Sequence, residues 1–279
     1  MRIDVMKTYK LFIGGAFPRS ESGRSYEIKD ARGKFLANPA QASRKDLRDA
    51  IVAARGAFNG WAHATGYNRG QILYRIAEMM EGRREQFVAE IMAIEGATKA
   101  SAERQVSQAI DLWVWYAGWS DKLSSTSGST NQISGPYYNF TSPEPLGIVA
   151  AIAPEKSSLL GLIHSVAPIL VAGNTTVVIA SESRPLPAIT LAEVIATSDV
   201  PGGVLNILTG IKSELVPWLA SHMEVDGLDI SGLDKKEELS VREAGSENLK
   251  RIHCFSDSGD LHRIVAFMEA KTVWHPIGI

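Results

Sequence analysis

The residues with the strongest potential for covalent or acid–base chemistry stand side by side near the end of the chain. Cys254 is the single cysteine among 279 residues, and His253 precedes it, so a thiol nucleophile adjoins an imidazole base. Both fall in a short run, 251–255, that is typical of a β-strand, where neighbouring side chains point to opposite faces. We therefore predict no catalytic role for this pair.

The other titratable residues also lack the patterns of a reactive centre. His222, His262 and His275 do not have the regular spacing of metal ligands, and a single cysteine excludes a four-cysteine zinc site. His164 falls inside an apolar helical pattern, which favours a core histidine. The sequence predicts no metal site and no catalytic residue within this chain.

Charge and composition exclude several classes of partner. The 29 basic and 31 acidic side chains leave a net charge of −2, so the strongly basic surface that nucleic acids or anionic membranes require is missing. No stretch of 18 apolar residues and no signal-peptide pattern occurs. We expect a cytoplasmic α/β protein that binds neither nucleic acid nor a membrane.

Amphipathic patterns predict a layer of helices in the first half of the chain. A capping-box pattern at 43–46 opens the first helix, whose apolar residues recur every three or four positions from Leu47 to Trp61. A longer second helix carries the apolar stripe over 72–91, and a third helix is predicted to end near Lys122.

A polar stretch, 124–130, leads into a predicted antiparallel hairpin over 132–143. Gly135-Pro136 supplies its turn, and the hairpin is expected to stand away from the core. The short apolar run 272–277 contains a proline, and we expect it to add beside the hairpin as an edge strand.

Apolar, β-branched runs recur through the second half of the chain, and their starts lie 23 to 29 residues apart. Helical patterns fill the gaps, an alternation typical of βαβ units. The sequence predicts one domain over 1–279. It comprises N-terminal strands and a helical layer (1–123), the hairpin (124–144) and a doubly wound, Rossmann-like parallel α/β sheet with its tail (145–279).

Several motifs, in order along about 10–255, resemble the N-terminal, cofactor-binding half of the aldehyde dehydrogenases. They are Leu11-Phe12-Ile13-Gly14-Gly15, Tyr116-Ala117-Gly118-Trp119, Pro145-Leu146-Gly147-Ile148-Val149, Ala172-Gly173-Asn174-Thr175 and Pro201-Gly202-Gly203-Val204. The resemblance implies that the loops after successive strands face NAD or NADP. By position, it implies cofactor contacts at Ile152, Ala153, Ser181, Glu182, Ser231 and Gly232. For Glu182 two interpretations stay open: contact with a ribose hydroxyl, or a surface carboxylate left from an ancestral site.

The residues that perform the family's chemistry are changed here. Lys156 stands where the family has an oxyanion-binding asparagine, and Phe255 stands where it has the general-base glutamate. Ile179 replaces a ribose-binding lysine, and Glu237 replaces a glycine near the pyrophosphate. The family's nucleophilic cysteine belongs to a later catalytic domain, which we expect to be absent.

A closer resemblance is to the degenerate, truncated second domain of family 16 aldehyde dehydrogenases. That domain has an acidic residue after the proline of its first turn, as in Pro154-Glu155, and ends on a Trp-x-Pro-x-Gly phrase, as over 274–278. The resemblance implies a pseudoenzyme with a structural or assembly role and with weak NAD(P) binding or none. The alternative is an NAD(P)-dependent aldehyde oxidoreductase, or a component of one.

Association is expected from the aromatic residues of the hairpin and the tail. An exposed strand that carries aromatic side chains is prone to aggregate unless another chain pairs with it. We expect a homodimer, or a complex with a complete aldehyde dehydrogenase, with Tyr138, Phe140 and Trp274 near the centre of the interface.

Overall fold

The computed structural model describes residues 6–256 and 260–278, and over these ranges it contains ten helices and ten strands. The helices are α1 (Arg44–Ala62), α2 (Gly66–Glu81), α3 (Arg84–Glu95), α4 (Lys99–Ala117), α5 (Leu123–Ser127), α6 (Leu160–Val171), α7 (Leu186–Ile195), α8 (Lys212–Ser221), α9 (Lys235–Ser246) and α10 (Leu261–Val265). The strands are β1 (Ile28–Lys29), β2 (Phe35–Ala37), β3 (Ser129–Asn131), β4 (Tyr137–Pro145), β5 (Ile148–Ile152), β6 (Thr175–Ile179), β7 (Leu205–Leu208), β8 (Gly227–Asp229), β9 (Arg251–His253) and β10 (Met268–Pro276). None of the helices described is long and apolar enough to span a membrane.

A five-stranded parallel sheet in the order β7-β6-β5-β8-β9 forms the centre of the molecule. The chain adds strands on one side of β5 first and then crosses to the other side with β8. This arrangement confirms the predicted doubly wound, Rossmann-like α/β fold and all five predicted parallel strands.

Alternate residues of the central strands pack into two separate cores, one on each face of the sheet. Val149 and Ala151 join a core built with α2, α3, α4, α6 and α7. Ile148 and Ala150 join a second core with α8, α9 and most of α1. The predicted N-terminal helical layer is therefore divided, because α1 covers the face opposite to α2–α4.

The first helix begins where the sequence predicts it. Ser43 Oγ accepts hydrogen bonds from the backbone N–H groups of Lys45 and Asp46, and the Asp46 carboxylate accepts from Ser43 N at 2.8 Å. This capping box satisfies donors that would otherwise lack partners at the helix start.

The predicted ends of the second and third helices were wrong. The stripe over 72–91 is divided between α2 and α3 by a break at Gly82-Arg83, which lets Met80 and Phe87 both lie fully buried on the two sides of the turn. The next helix, α4, ends at Ala117 and not near Lys122, and the polar stretch that follows contains the short helix α5.

A separate antiparallel sheet has the order β10-β4-β3, which confirms a hairpin and the tail as an edge strand. The first strand of the hairpin, β3, precedes the predicted range 132–143, because the polar stretch before it pairs with β4. The nine residues of β10 pair with the whole length of β4, from Met268 opposite Pro145 to Pro276 opposite Tyr137. The tail strand β10 is therefore paired with the hairpin strand β4 along its whole length.

A half-buried carboxyl group, that of Glu90, lies between α3 and α7. Its Oε1 accepts hydrogen bonds from Thr190 Oγ1 (2.7 Å) and Gln86 Nε2 (3.2 Å). Burial raises the pKa of Glu90 to about 7, although the hydrogen bond from Thr190 and the charge of Lys7 oppose the shift. Glu193 also faces this group and raises the pKa further.

We expect Glu90 to make the fold less stable as pH rises from about 4.5 to 7, because the folded state keeps a proton that the unfolded chain has lost. Glu90→Gln removes this titration. It should stabilise the protein by up to about 3 kcal/mol at pH 8 and by much less at pH 5, as measured by urea unfolding. The exposed Glu78→Gln is the control, and an equal pH dependence in wild type and Glu90→Gln would contradict the assignment.

Candidate functional site

The strand order places a crevice at the carboxyl ends of β5 and β8, where the chain reverses its direction across the sheet. Open α/β sheets bind ligands at such a point. A cleft of about 590 Å³ lies there, and the residues that line it include Tyr26, Glu155, Glu182, Lys212, Gly232 and Glu237.

Lys212, the first residue of α8, fills the inner part of this crevice. Its side chain is only 9% exposed. The ammonium Nζ donates to the carbonyl oxygens of Ala153 (2.7 Å) and Gly232 (3.3 Å), and it contacts Glu155 Oε1 at 2.6 Å. The cation therefore ties the loop after β5 to the loop after β8.

Glu155 meets Lys212 from the turn that follows β5. Its carboxylate also accepts hydrogen bonds from Ser181 Oγ (2.7 Å), Ser183 Oγ (2.7 Å) and the backbone N–H groups of Glu182 (2.9 Å) and Ser183 (3.1 Å). Partial burial raises the pKa of Glu155, but the hydrogen bonds from Lys212 and the serines, together with the Lys212 charge, outweigh it. The resulting pKa is about 2, so the group is ionised at neutral pH.

The structure brings four of the six predicted cofactor residues to this ion pair. Ala153 and Gly232 supply carbonyl oxygens, and Ser181 donates to Glu155. Glu182 Oε2 accepts from the backbone N–H of Lys212 at 2.8 Å, so its carboxylate caps the start of α8. The contact adds a structural role for Glu182, and its contact with a ribose hydroxyl stays a prediction.

The remaining two predicted residues serve other contacts. Ile152 is fully buried in the second core. Ser231 donates through N and Oγ to Asp229 Oδ1, and its Oγ accepts from Phe255 N at 2.9 Å. Both therefore support the sheet and the loop after β8 and do not line the cleft.

Negative charge dominates the outer part of the cleft. Glu237 Oε2 accepts from Asp234 N at 3.1 Å in the capping box that starts α9, which places two carboxylates at that helix end. Burial raises the pKa of Tyr26, and the charges of Glu182 and Glu155 raise it further. Among the described residues, the arrangement does not fit a dinucleotide diphosphate, because carboxylates stand where an anion would approach and the Lys212 ammonium is already paired.

Lys156 and Phe255, which by resemblance stand at the positions of the family's catalytic asparagine and glutamate, lie in different surroundings. Lys156 is exposed, and the Phe255 ring stacks on His253 with the Arg263 guanidinium 4.8 Å from its centroid. Partial burial and the Glu238 carboxylate raise the pKa of the Cys254 thiol, which leaves it a poor nucleophile at neutral pH. No group of three His, Cys, Asp or Glu side chains in the part of the chain that the structure describes could hold a metal ion.

The three predicted interface residues do not share one face of the three-stranded sheet. Tyr138 and Phe140 lie two residues apart on β4, with ring centroids 5.6 Å apart, and so point to the same side. Trp274 pairs with Asn139 and contacts Tyr137 on the other side, with ring centroids 5.9 Å apart. A partner that contacts all three side chains would therefore have to reach both faces of the sheet, and the interface stays a prediction.

The sequence reasoning missed Lys212 and the partner role of Glu155. Both residues follow sheet strands closely, at the carboxyl ends where loops of a parallel sheet converge. That position was a usable signal, but several other charged residues share it, including Lys156, Arg184 and Asp234. The identity of the pair therefore depends on loop geometry that spacing alone does not define.

The profile of the aldehyde dehydrogenase family matches residues 17–260. Retinal dehydrogenase 2 of Homo sapiens is 32% identical over 253 residues, which cover 88% of this chain and 48% of that protein. A solved mutant of aldehyde dehydrogenase from Bacillus cereus superposes with a TM-score of 0.84 at 26% identity, covering 90% of this chain and 53% of that one. A structure of PnpE in complex with nicotinamide adenine dinucleotide has a TM-score of 0.85 at 26% identity, with coverages of 89% and 50%.

The chain spans about half the length of the curated relatives it matches, and the matched part is their N-terminal half. Because the family profile covers most of the sequence and the relatives agree with it, this chain belongs to the aldehyde dehydrogenase family.

Proposed function

We propose that this chain is a pseudoenzyme domain of the aldehyde dehydrogenase family with a structural or assembly role in the cytoplasm. The observation that carries the proposal is the Lys212–Glu155 pair in the crevice at the switch point of the sheet, at 2.6 Å. Loops that would receive a cofactor are bonded to each other through these two side chains.

Electrostatics supports weak NAD(P) binding or none. Five carboxylates, those of Glu27, Glu155, Glu182, Asp234 and Glu237, line the cleft together with one cation, Lys212. A diphosphate would have to displace Glu155 from the ammonium and then lie beside the remaining carboxylates, and both steps cost free energy. PnpE binds the dinucleotide within a similar fold, so the fold permits binding and the side chains here oppose it.

The lack of a general base at position 255 supports the pseudoenzyme proposal. By resemblance, Phe255 stands at the position of the family's glutamate, and its ring is packed between His253 and Arg263. An aromatic ring cannot take a proton from a water or a thiol, so neither hydrolysis of an acyl intermediate nor activation of a nucleophile has a base at this position.

Purified protein should show no turnover of aldehydes with NAD or NADP. The measurement is nicotinamide absorbance at 340 nm with aliphatic, aromatic and retinoid aldehydes, beside a complete aldehyde dehydrogenase as positive control. Turnover above background that persists in Cys254→Ala would contradict the pseudoenzyme proposal and favour the alternative, an NAD(P)-dependent aldehyde oxidoreductase or a component of one.

The sheet formed by β3, β4 and β10 supports an assembly role. Tyr138 and Trp274 are 47% and 58% exposed on opposite faces, and β3 and β10 are the outer strands of the sheet among the described residues. Exposed aromatics next to an open strand edge are favourable for pairing with another chain. We propose a homodimer, or a complex with a complete aldehyde dehydrogenase, through the face that carries Tyr138 and Phe140.

Phe140→Asp should abolish this association, because it places a charge in the centre of the proposed contact. Light scattering after gel filtration, with the protein alone and mixed with a complete aldehyde dehydrogenase, measures the mass. Trp274→Asp on the opposite face is the matched variant and should leave the assembly intact. A wild-type protein that is monomeric both alone and with the complete enzyme would contradict the proposed association. An equal loss of association in both variants would contradict the chosen face.

A further inference from the structure

We infer that the crevice retains a preformed binding site for a phosphate-sized oxyanion, and that Glu155 occupies this site as an internal ligand. The inference rests on the proposed function, since a carboxylate seated there fills the place that a cofactor would need. It adds to that function a specific ligand chemistry and a specific residue that excludes the ligand.

Five donors from two loops converge on the Glu155 carboxylate. Oε1 accepts from Glu182 N at 2.9 Å and contacts Lys212 Nζ at 2.6 Å. Oε2 accepts from Ser181 Oγ (2.7 Å), Ser183 Oγ (2.7 Å) and Ser183 N (3.1 Å). Backbone N–H groups combined with hydroxyls and one ammonium form the donor set with which proteins bind phosphate.

The donors are held by contacts that do not involve Glu155. Ser181 Oγ also accepts from Arg184 N at 3.0 Å, and the preceding residue, Ala180, donates to Leu208 O across the sheet at 2.9 Å. Lys212 is anchored through its ammonium to the carbonyls of Ala153 and Gly232. The five donors should therefore keep their positions when the carboxylate is removed.

Access and charge define what such a site would bind. The Glu155 side chain is 41% exposed, so shortening it opens the donors to solvent. Phosphate offers more oxygens than a carboxylate to satisfy five donors, and its additional charge favours the Lys212 ammonium. The nearby carboxylates of Glu182 and Glu237 limit the affinity, which places the expected dissociation constant at about 1 mM.

Glu155→Ala should bind inorganic phosphate at least tenfold more tightly than the wild type. The measurement is thermal stabilisation on titration with sodium phosphate, with sodium chloride at matched ionic strength and sodium acetate as comparison anions. Glu237→Ala is the matched control, because it removes a cleft carboxylate that accepts none of the five donors. Because Glu155 still holds the five donors in this variant, its gain in phosphate affinity should stay far below tenfold. Phosphate-specific stabilisation that disappears in Glu155→Ala/Lys212→Met supports the site.

The inference is overturned if phosphate stabilises Glu155→Ala no more than chloride does, or if the Lys212→Met double variant responds equally. Should Glu155→Ala be unfolded, phosphate at about 50 mM is expected to restore its folded circular dichroism spectrum and chloride is not; failure of that rescue also overturns the inference. Tight NAD binding by the wild type would refute the proposed function. If the wild type does not bind NAD and phosphate does not stabilise Glu155→Ala, only the inference that Glu155 fills an oxyanion site is refuted.

Discussion

The ion pair between Lys212 and Glu155 is the contact that joins the loops around the crevice. An ammonium taken out of water loses several kcal/mol of hydration unless acceptors replace it, and Lys212 finds a carboxylate and two backbone carbonyls within hydrogen-bond range. Glu155 in turn satisfies the hydroxyl and N–H groups of the loop after β6. Removing either partner alone would leave a charge with too few partners in a partly buried place.

This pair connects loops that a cofactor would otherwise bridge. The turns after β5, β6 and β8 all contact one or both of its side chains. In a nucleotide-binding sheet such loops keep donors free for a ligand, whereas here the same donors hold the chain to itself. The crevice thus contributes to the fold, and the sheet of β3, β4 and β10 carries exposed aromatic side chains of its own.

Much of the architecture could be predicted from the sequence because it follows local patterns. The five parallel strands, the Ser43 cap and the pairing of β10 beside the hairpin each have a short-range signal in periodicity or turn residues. The break at Gly82 could not be predicted in this way, because the apolar stripe continues in phase on both sides of it. The opposite orientation of Trp274 depends on the strand register, which a tail motif does not specify.

The candidate site was only partly predictable for a similar reason. Strand ends identified Ala153, Ser181, Glu182 and Gly232, but the resemblance assigned them to a cofactor and not to an ion pair of the chain itself. Which lysine turns into the crevice depends on the direction of α8, and that direction is fixed by packing against α1 and α9.

The most direct test is a titration of NAD into ¹⁵N-labelled wild-type protein, following the backbone amides of Glu182, Ser183 and Lys212 by NMR. The account predicts that these three resonances keep their ligand-free chemical shifts up to millimolar NAD. The reason is that the amides of Glu182 and Ser183 stay bonded to the Glu155 carboxylate, and the amide of Lys212 stays bonded to Glu182. Saturable shifts of the same amides at micromolar NAD would show that the cofactor displaces the pair, and would contradict the account.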